Sequence, residues 1–149
     1  MMGKEIKECV DELMVLLPEL AKAFRTDEPQ EILHVDISFP EICVLGQLSS
    51  SQEPTMSELG KSISMDLSTL TRTVDKLVEK EFVVRKSDPE DRRMVRVAIT
   101  AGGGKIMGRF EEQRRKKIES MLTEMTSEER SNLLSIFKTL HARIHGKAG

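Results

Sequence analysis

Between residues 55 and 100 the apolar period of the chain changes once, from three- and four-residue steps to alternation, and this change constrains the fold more than any other feature. Leu59 and Ile63, then Leu70, Val74, Leu77 and Val78, keep helical spacing, whereas Phe82 to Arg85 and Met94, Val95, Val97 and Ile99 keep a strand-like one. Thr55 and Glu58 have capping-box spacing at the start of the first helix. Ser64 and Met65 form a turn, and Asp66 then serves as N-cap for a helix on which Leu67, Leu70, Val74, Leu77 and Val78 are expected to face inward. Ser87, Asp88, Pro89, Glu90 and Asp91 are turn chemistry between the two strands. Two short helices across a tight turn, followed by a hairpin, make a winged helix-turn-helix.

Helical patterns flank this unit. Ile6, Val10, Leu13, Met14, Leu17 and Phe24 form one apolar stripe near the N-terminus, with Pro18 expected to kink the helix or mark its boundary. Residues 25–36 hold no sustained period and read as a loop or frayed end. Ser38 with Glu41 repeats the capping-box spacing, Pro40 is tolerated in a first turn, and Ile42, Leu45 and Leu48 supply a short helix. Thr100 can cap the helix after the hairpin, although Gly102, Gly103 and Gly104 weaken it by roughly 1 kcal/mol each relative to alanine. That helix continues with Ile106, Phe110, Ile118, Met121 and Leu122. Thr126 with Glu129 opens a last one carrying Leu133, Leu134, Phe137, Leu140 and Ile144. The predicted fold is mainly α with a small β wing. It forms a single domain over residues 1–149, with the winged helix at 38–100 and helical regions at 1–36 and 101–149.

Composition supports a globular chain: 149 residues, 38% hydrophobic and 32% charged. No apolar run approaches the roughly 20 residues that cross a bilayer, and none resembles a signal peptide, so a cytoplasmic protein without a membrane partner is expected. The net charge is −2. Its distribution is uneven: Arg92, Arg93, Arg96, Lys105, Arg109, Arg114, Arg115, Lys116 and Lys117 face only Glu111 and Glu112 as neighbours in sequence, so one end is basic within a mildly acidic whole.

A helix entering the major groove of DNA needs short polar side chains and a forked donor near its N-terminal half, because base edges offer hydrogen-bond groups and the thymine methyl. Ser68, Thr69, Thr71 and Arg72 meet that requirement, with Lys76 one turn further on. Their place after an N-cap also sets backbone amides near phosphate. A solvated helix face explains the same residues equally well, and the wing decides between the two. Arg92 and Arg93 sit at a tight turn, where a guanidinium can enter a narrow minor groove, and Asp91 beside them can brace an arginine or a backbone amide.

Residues 66–100 resemble the recognition helix and wing of the multiple-antibiotic-resistance regulator (MarR) family. The matching features are Leu70-Thr71-Arg72, the D-x-R signature at Asp91 and Arg93, and the Ile99-Thr100 pair. The resemblance implies a homodimer whose N- and C-terminal helices intertwine, with two recognition helices in successive major grooves of a pseudo-palindrome and wing arginines in the flanking minor grooves. The outer apolar stripes fit this, because they exceed what a small winged helix buries alone. It also implies a repressor of transcription that responds to a small phenolic or anionic effector.

Other constellations carry less. Cys9 matches in position the sensing cysteine of the family's hydroperoxide branch, but the chain has no tyrosine, which that branch uses around its cysteine; a buried structural role is expected for Cys9 and Cys43. His141 and His145 share a helix face, yet two ligands do not make a metal site. Gly102-Gly103-Gly104-Lys105 lacks the upstream glycine and following hydroxyl of a phosphate loop, and close packing is its expected role. Met14, Met107, Met121 and Met125 mostly fall on apolar stripes, where core filling is the first explanation and an adaptable ligand crevice the second. No nucleophile–base–acid set or complete metal spacing appears, so no catalytic residue, metal or cofactor is expected. The alternative to a DNA-binding regulator is a winged-helix protein-interaction module without specific DNA readout.

Overall fold

The computed structural model describes residues 2–25, 29 and 33–146. The Phe24 side chain and residues 26–28 and 30–32 of the loop expected over 25–36 lie outside the described residues, while Pro29 and Leu33 are helical. In chain order the elements are α1 (Met2–Arg25), α2 (Phe39–Ser50), α3 (Met56–Ser62), α4 (Leu67–Glu79), β1 (Val83–Ser87), β2 (Val95–Ile99), α5 (Ala101–Thr123) and α6 (Ser127–His145). The chain packs as two compact units, Met1–Phe110 and Glu111–Gly149. Among the described residues no helix is long and apolar enough to cross a membrane.

Local rules set the helix starts. Ser38 and Glu41, Thr55 and Glu58, and Thr126 and Glu129 each form a reciprocal capping box. In the first, the Ser38 N–H donates to Glu41 Oε2 at 2.6 Å and the Glu41 N–H to Ser38 Oγ at 3.4 Å. A cap of this kind contributes about 1 kcal/mol. Between α3 and α4 the chain turns through Ser64 at φ 53°, and the Met65 N–H donates to the Gly60 carbonyl at 3.0 Å. A Cβ at Gly60 would stand 3.1 Å from the Met65 carbonyl oxygen, so the turn is close enough to favour glycine there.

The core of the first unit gathers Leu45 and Leu48 of α2, Leu59 of α3, Leu70, Val74 and Leu77 of α4, Val83 and Val97 of the hairpin, and Ile106 and Met107 of α5. Full burial of such side chains contributes about 1.5–3 kcal/mol each. The buried Glu41 carboxylate accepts from Lys80 Nζ at 2.7 Å, tying the start of α2 to the residue that ends α4. Burial alone would raise the Glu41 pKa, but bonds from Lys80 and Ser38 outweigh it and hold the carboxyl below its ordinary value. The strands pair antiparallel from Val83↔Ile99 to Ser87↔Val95. In the second unit, Arg130 donates to the carbonyls of Leu122 and Met125 and thereby closes the end of α5.

Several expectations are corrected. Pro18 ends nothing: α1 continues past it to Arg25, giving up one rung of the backbone ladder. The first strand begins at Val83, because the Phe82 N–H still donates to the Leu77 carbonyl as the chain leaves α4. Leu67 is 62% exposed, since the first residue of α4 precedes the turn whose inner side reaches the core. Every described α1 side chain from Gly3 to Lys22 is exposed, and so are Leu134, Phe137, Leu140 and Ile144 of α6. Among the described residues, both outer stripes are thus exposed.

Thr100 caps α5, its Oγ1 accepting from the Gly103 N–H at 3.1 Å. A Cβ at Gly103 would overlap the Phe82 carbonyl oxygen and lie 2.9 Å from Ile99 Cγ1, whereas one at Gly104 meets nothing within 4 Å. Gly103→Ala is therefore expected to destabilise the protein by about 1–3 kcal/mol through overpacking. Gly104→Ala should stabilise it by up to about 1 kcal/mol through helix propensity. Paired urea unfolding curves check this, and equal effects at the two positions would refute it.

Candidate nucleic-acid interface

The buried stripe of α4 determines which residues the helix presents. With Leu70, Thr73, Val74 and Leu77 turned into the core, Ser68, Thr69, Thr71, Arg72 and Lys76 are all exposed. Ser68 and Arg72 lie four residues apart and Lys76 four further on, so they line one ridge. Asp66 caps the helix, accepting from the Thr69 N–H at 3.1 Å, the Thr69 hydroxyl at 3.0 Å and the Ser68 hydroxyl at 3.1 Å. These bonds, the Thr69 hydroxyl foremost, hold Asp66 below the ordinary carboxylate range. The Thr69 amide that the sequence offered to phosphate is thus already taken by a carboxylate.

The Thr71 hydroxyl donates to the Leu67 carbonyl at 2.8 Å. With their protons committed, the three hydroxyls present acceptor lone pairs, which suit the exocyclic amines of adenine or cytosine. Among the described residues Arg72, Lys76 and Arg92 form no ion pair. Asp75, the carboxylate nearest to them along α4, is neutralised by Arg85 of β1.

At the wing tip, Asp91 Oδ1 accepts from the Arg93 N–H at 3.0 Å and stands 3.7 Å from Arg93 Nε. The Arg93 side chain is 95% exposed, and Arg92 is exposed beside it. Sequence reasoning passed over the deeper brace. Asp88 is buried, and its Oδ1 accepts from the Glu90 and Asp91 N–H groups at 2.7 and 3.1 Å. Its Oδ2 accepts from Arg96 Nε at 2.6 Å. The turn half of this was readable, since Asp ahead of Pro folds back on backbone amides two and three residues on. The Arg96 half was not, because it depends on the hairpin register.

A family model described as the MarR family matches residues 37–95, which run from just before α2 to the start of β2. The HTH-type transcriptional regulator YpoP of Bacillus subtilis (strain 168) is 30% identical over 129 residues, covering 87% of this chain and 91% of the relative. The chain belongs to the MarR family. It is accordingly a DNA-binding transcriptional regulator of the winged-helix type. A MarR family protein from Bacillus stearothermophilus shares the fold at TM-score 0.83 with 25% identity, over 93% of this chain and 97% of that one. FabT of Streptococcus pneumoniae, solved in complex with DNA, shares it at TM-score 0.70 with 19% identity, over 97% and 98%.

Away from α4 and the wing, Cys9 is exposed rather than buried, as is the described α1 stripe it borders, and Cys43 is half-buried. The His141 and His145 rings stand 4.3 Å apart between centroids, and the described residues hold no cluster of three metal-ligating side chains.

Asp88 is held below the ordinary carboxylate range by the Glu90 N–H first, then by Arg96 and the Asp91 N–H. Its folded pKa is therefore lower than its unfolded one, about 3.9, and the unfolded chain takes up the proton first as pH falls. The stabilisation is complete above about pH 5 and is lost as pH falls through the folded pKa. Urea midpoints measured from pH 7 down to pH 3 should fall more steeply for the parent than for Asp88→Asn. Parallel slopes would show that this carboxylate does not contribute.

Proposed function

We propose that the protein acts as a homodimer on a pseudo-palindromic operator. Ser68, Thr69, Thr71, Arg72 and Lys76 reach the major groove, and Arg92 and Arg93, the latter braced by Asp91, enter the flanking minor grooves. The observation that carries this reading is the set of exposed cations, Arg72 and Lys76 on α4 and Arg92 at the wing tip, which pair with no described carboxylate and stand on a helix and hairpin that the core holds in place. The DNA complex of FabT supports docking through the same fold. Repression in the cytoplasm, relieved by a small phenolic or anionic effector, is the mode of regulation that family resemblance supports.

The dimer reading rests on area. Ile6, Val10, Leu13, Met14 and Leu17 of α1, and Leu134, Phe137, Leu140 and Ile144 of α6, are 45–70% exposed. Apolar surface on this scale exceeds the scattered exposure of a monomer and matches an isologous contact between copies. The helical regions at 1–36 and 101–149 are then the dimerisation region around the winged helix at 38–100.

Binding to DNA fragments enriched by the parent protein tests the groove assignments. Arg72→Ala should cost about 1–3 kcal/mol and relax sequence preference at one position, whereas Arg93→Ala should weaken binding evenly and lower the salt slope by about one. Parent-like binding by both across a salt series would favour the protein-interaction module instead. Leu140→Asp, at a 51% exposed position, should leave each chain folded but shift sedimentation from twice the chain mass toward the chain mass. An unchanged sedimentation coefficient would reject α6 as the interface.

A further inference from the structure

Arg96 joins parts of the fold that its place in a five-residue strand does not require it to join. Nε donates to buried Asp88 at 2.6 Å, and Nη1 donates to the Glu53 carbonyl at 2.9 Å. Glu53 lies ahead of α3 with a left-handed φ of 37°, and its carboxylate also accepts from Lys86 Nζ of β1 at 2.7 Å. Alongside, Thr55 bridges to Arg96 and the Val97 N–H donates to the Pro54 carbonyl at 2.9 Å. One guanidinium therefore ties the lead-in to the helix-turn-helix on one side and the wing tip on the other.

Through Asp88 the tie reaches Arg93. The Asp88 carboxylate holds the Glu90 and Asp91 amides, the Asp88 N–H donates to the Met94 carbonyl at 3.0 Å, and the Met94 N–H donates to the Asp91 carbonyl at 3.0 Å. Arg93 is enclosed within that loop. Asp91 contacts Arg93 itself, but it has no link to the helix-turn-helix and can orient the side chain only relative to the tip.

We propose that Arg96 is a positioning residue for DNA binding, fixing the wing arginine at a set distance from the recognition helix so that both grooves are engaged together. This rests on the minor-groove reading of Arg93. A forked guanidinium can hold Asp88 and the Glu53 carbonyl at once, and a lysine ammonium holds one of them. Without the tie the hairpin keeps its backbone pairing and the Arg85–Asp75 contact of its first strand with α4, but its tip loses the link through Asp88 and Arg96 to the segment ahead of α3. The ordering of Arg93 must then be supplied at the moment of binding.

The test uses full-length protein and DNA fragments selected by the parent, with hydroxyl-radical cleavage reporting the flanking minor grooves and dimethyl sulfate reporting guanine N7 in the major groove. Arg96→Met should lower affinity on the order of tenfold and lose flanking minor-groove protection, while guanine N7 protection persists at saturating protein. In an Arg93→Ala background the same change should alter affinity by less than about twofold, since the two act through one contact. Arg96→Lys should recover only part of the loss. Asp88→Asn, which keeps an oxygen for the turn amides, should show the Arg96→Met pattern and serves if that variant does not fold. Retained flanking protection in these variants, equal loss in both grooves, or the same fold-loss with and without Arg93 would overturn the proposal. If Arg93→Ala itself keeps the flanking protection, the minor-groove reading fails and this inference with it.

Discussion

The interface depends on the burial of one face of α4. Leu70, Val74 and Leu77 are fully excluded from water, and together they fix the rotation of the helix about its own axis. A rotation of one residue would move Arg72 and Lys76 toward the flanks and expose leucine in their place. Thr73 sits on the same buried face without penalty because its hydroxyl donates back to the Thr69 carbonyl at 2.8 Å. The far end is held by Lys80 against the Glu41 carboxylate, a charge whose burial is tolerated only because it is paired and hydrogen-bonded.

How much was legible follows from range. Helix starts were readable because a capping box spans three residues, and Ser38, Thr55 and Thr126 all formed theirs. The helix-turn-helix and hairpin were readable because a change of period is a local signal. Leu67 misled because a helical pattern does not show where the core ends, and its position lies on the exposed side of the helix start. Of the two outcomes expected at Pro18, the boundary does not occur, because the helix continues through it to Arg25. Asp88 was visible as a turn former but not as the partner of Arg96, and the Arg96 contact with Glu53 spans 43 residues. The exposure of the polar residues of α4 was legible to the extent that it followed from the buried stripe, and the tie that holds the wing was not.

The two compact units divide the apolar residues unequally. The first concentrates its buried side chains around α4 but leaves the apolar stripe of α1 exposed, and in the second Leu134, Phe137, Leu140 and Ile144 of α6 are exposed. For a chain of 149 residues that division is inefficient as a monomer, because surface left uncovered contributes nothing to stability. Cys9 lies on the edge of the same α1 surface, so its exposure in the single chain is a property of the uncovered stripe as much as of the residue.

The wing shows how a short hairpin can be made rigid enough to act as part of a reading head. Two five-residue strands alone are marginal in water. Here one end is seated on the core through Val83 and Val97, and the other is closed by the Asp88 turn, so the exposed arginines stand on a support anchored at both ends. The anchors differ in kind. Apolar burial at the base is insensitive to ionic strength, whereas the Asp88–Arg96 pair is charged, though with Asp88 buried it is screened far less than a surface pair. Salt therefore weakens the Asp88–Arg96 bond that holds this wing much less than it weakens an exposed pair such as Lys86 and Glu53.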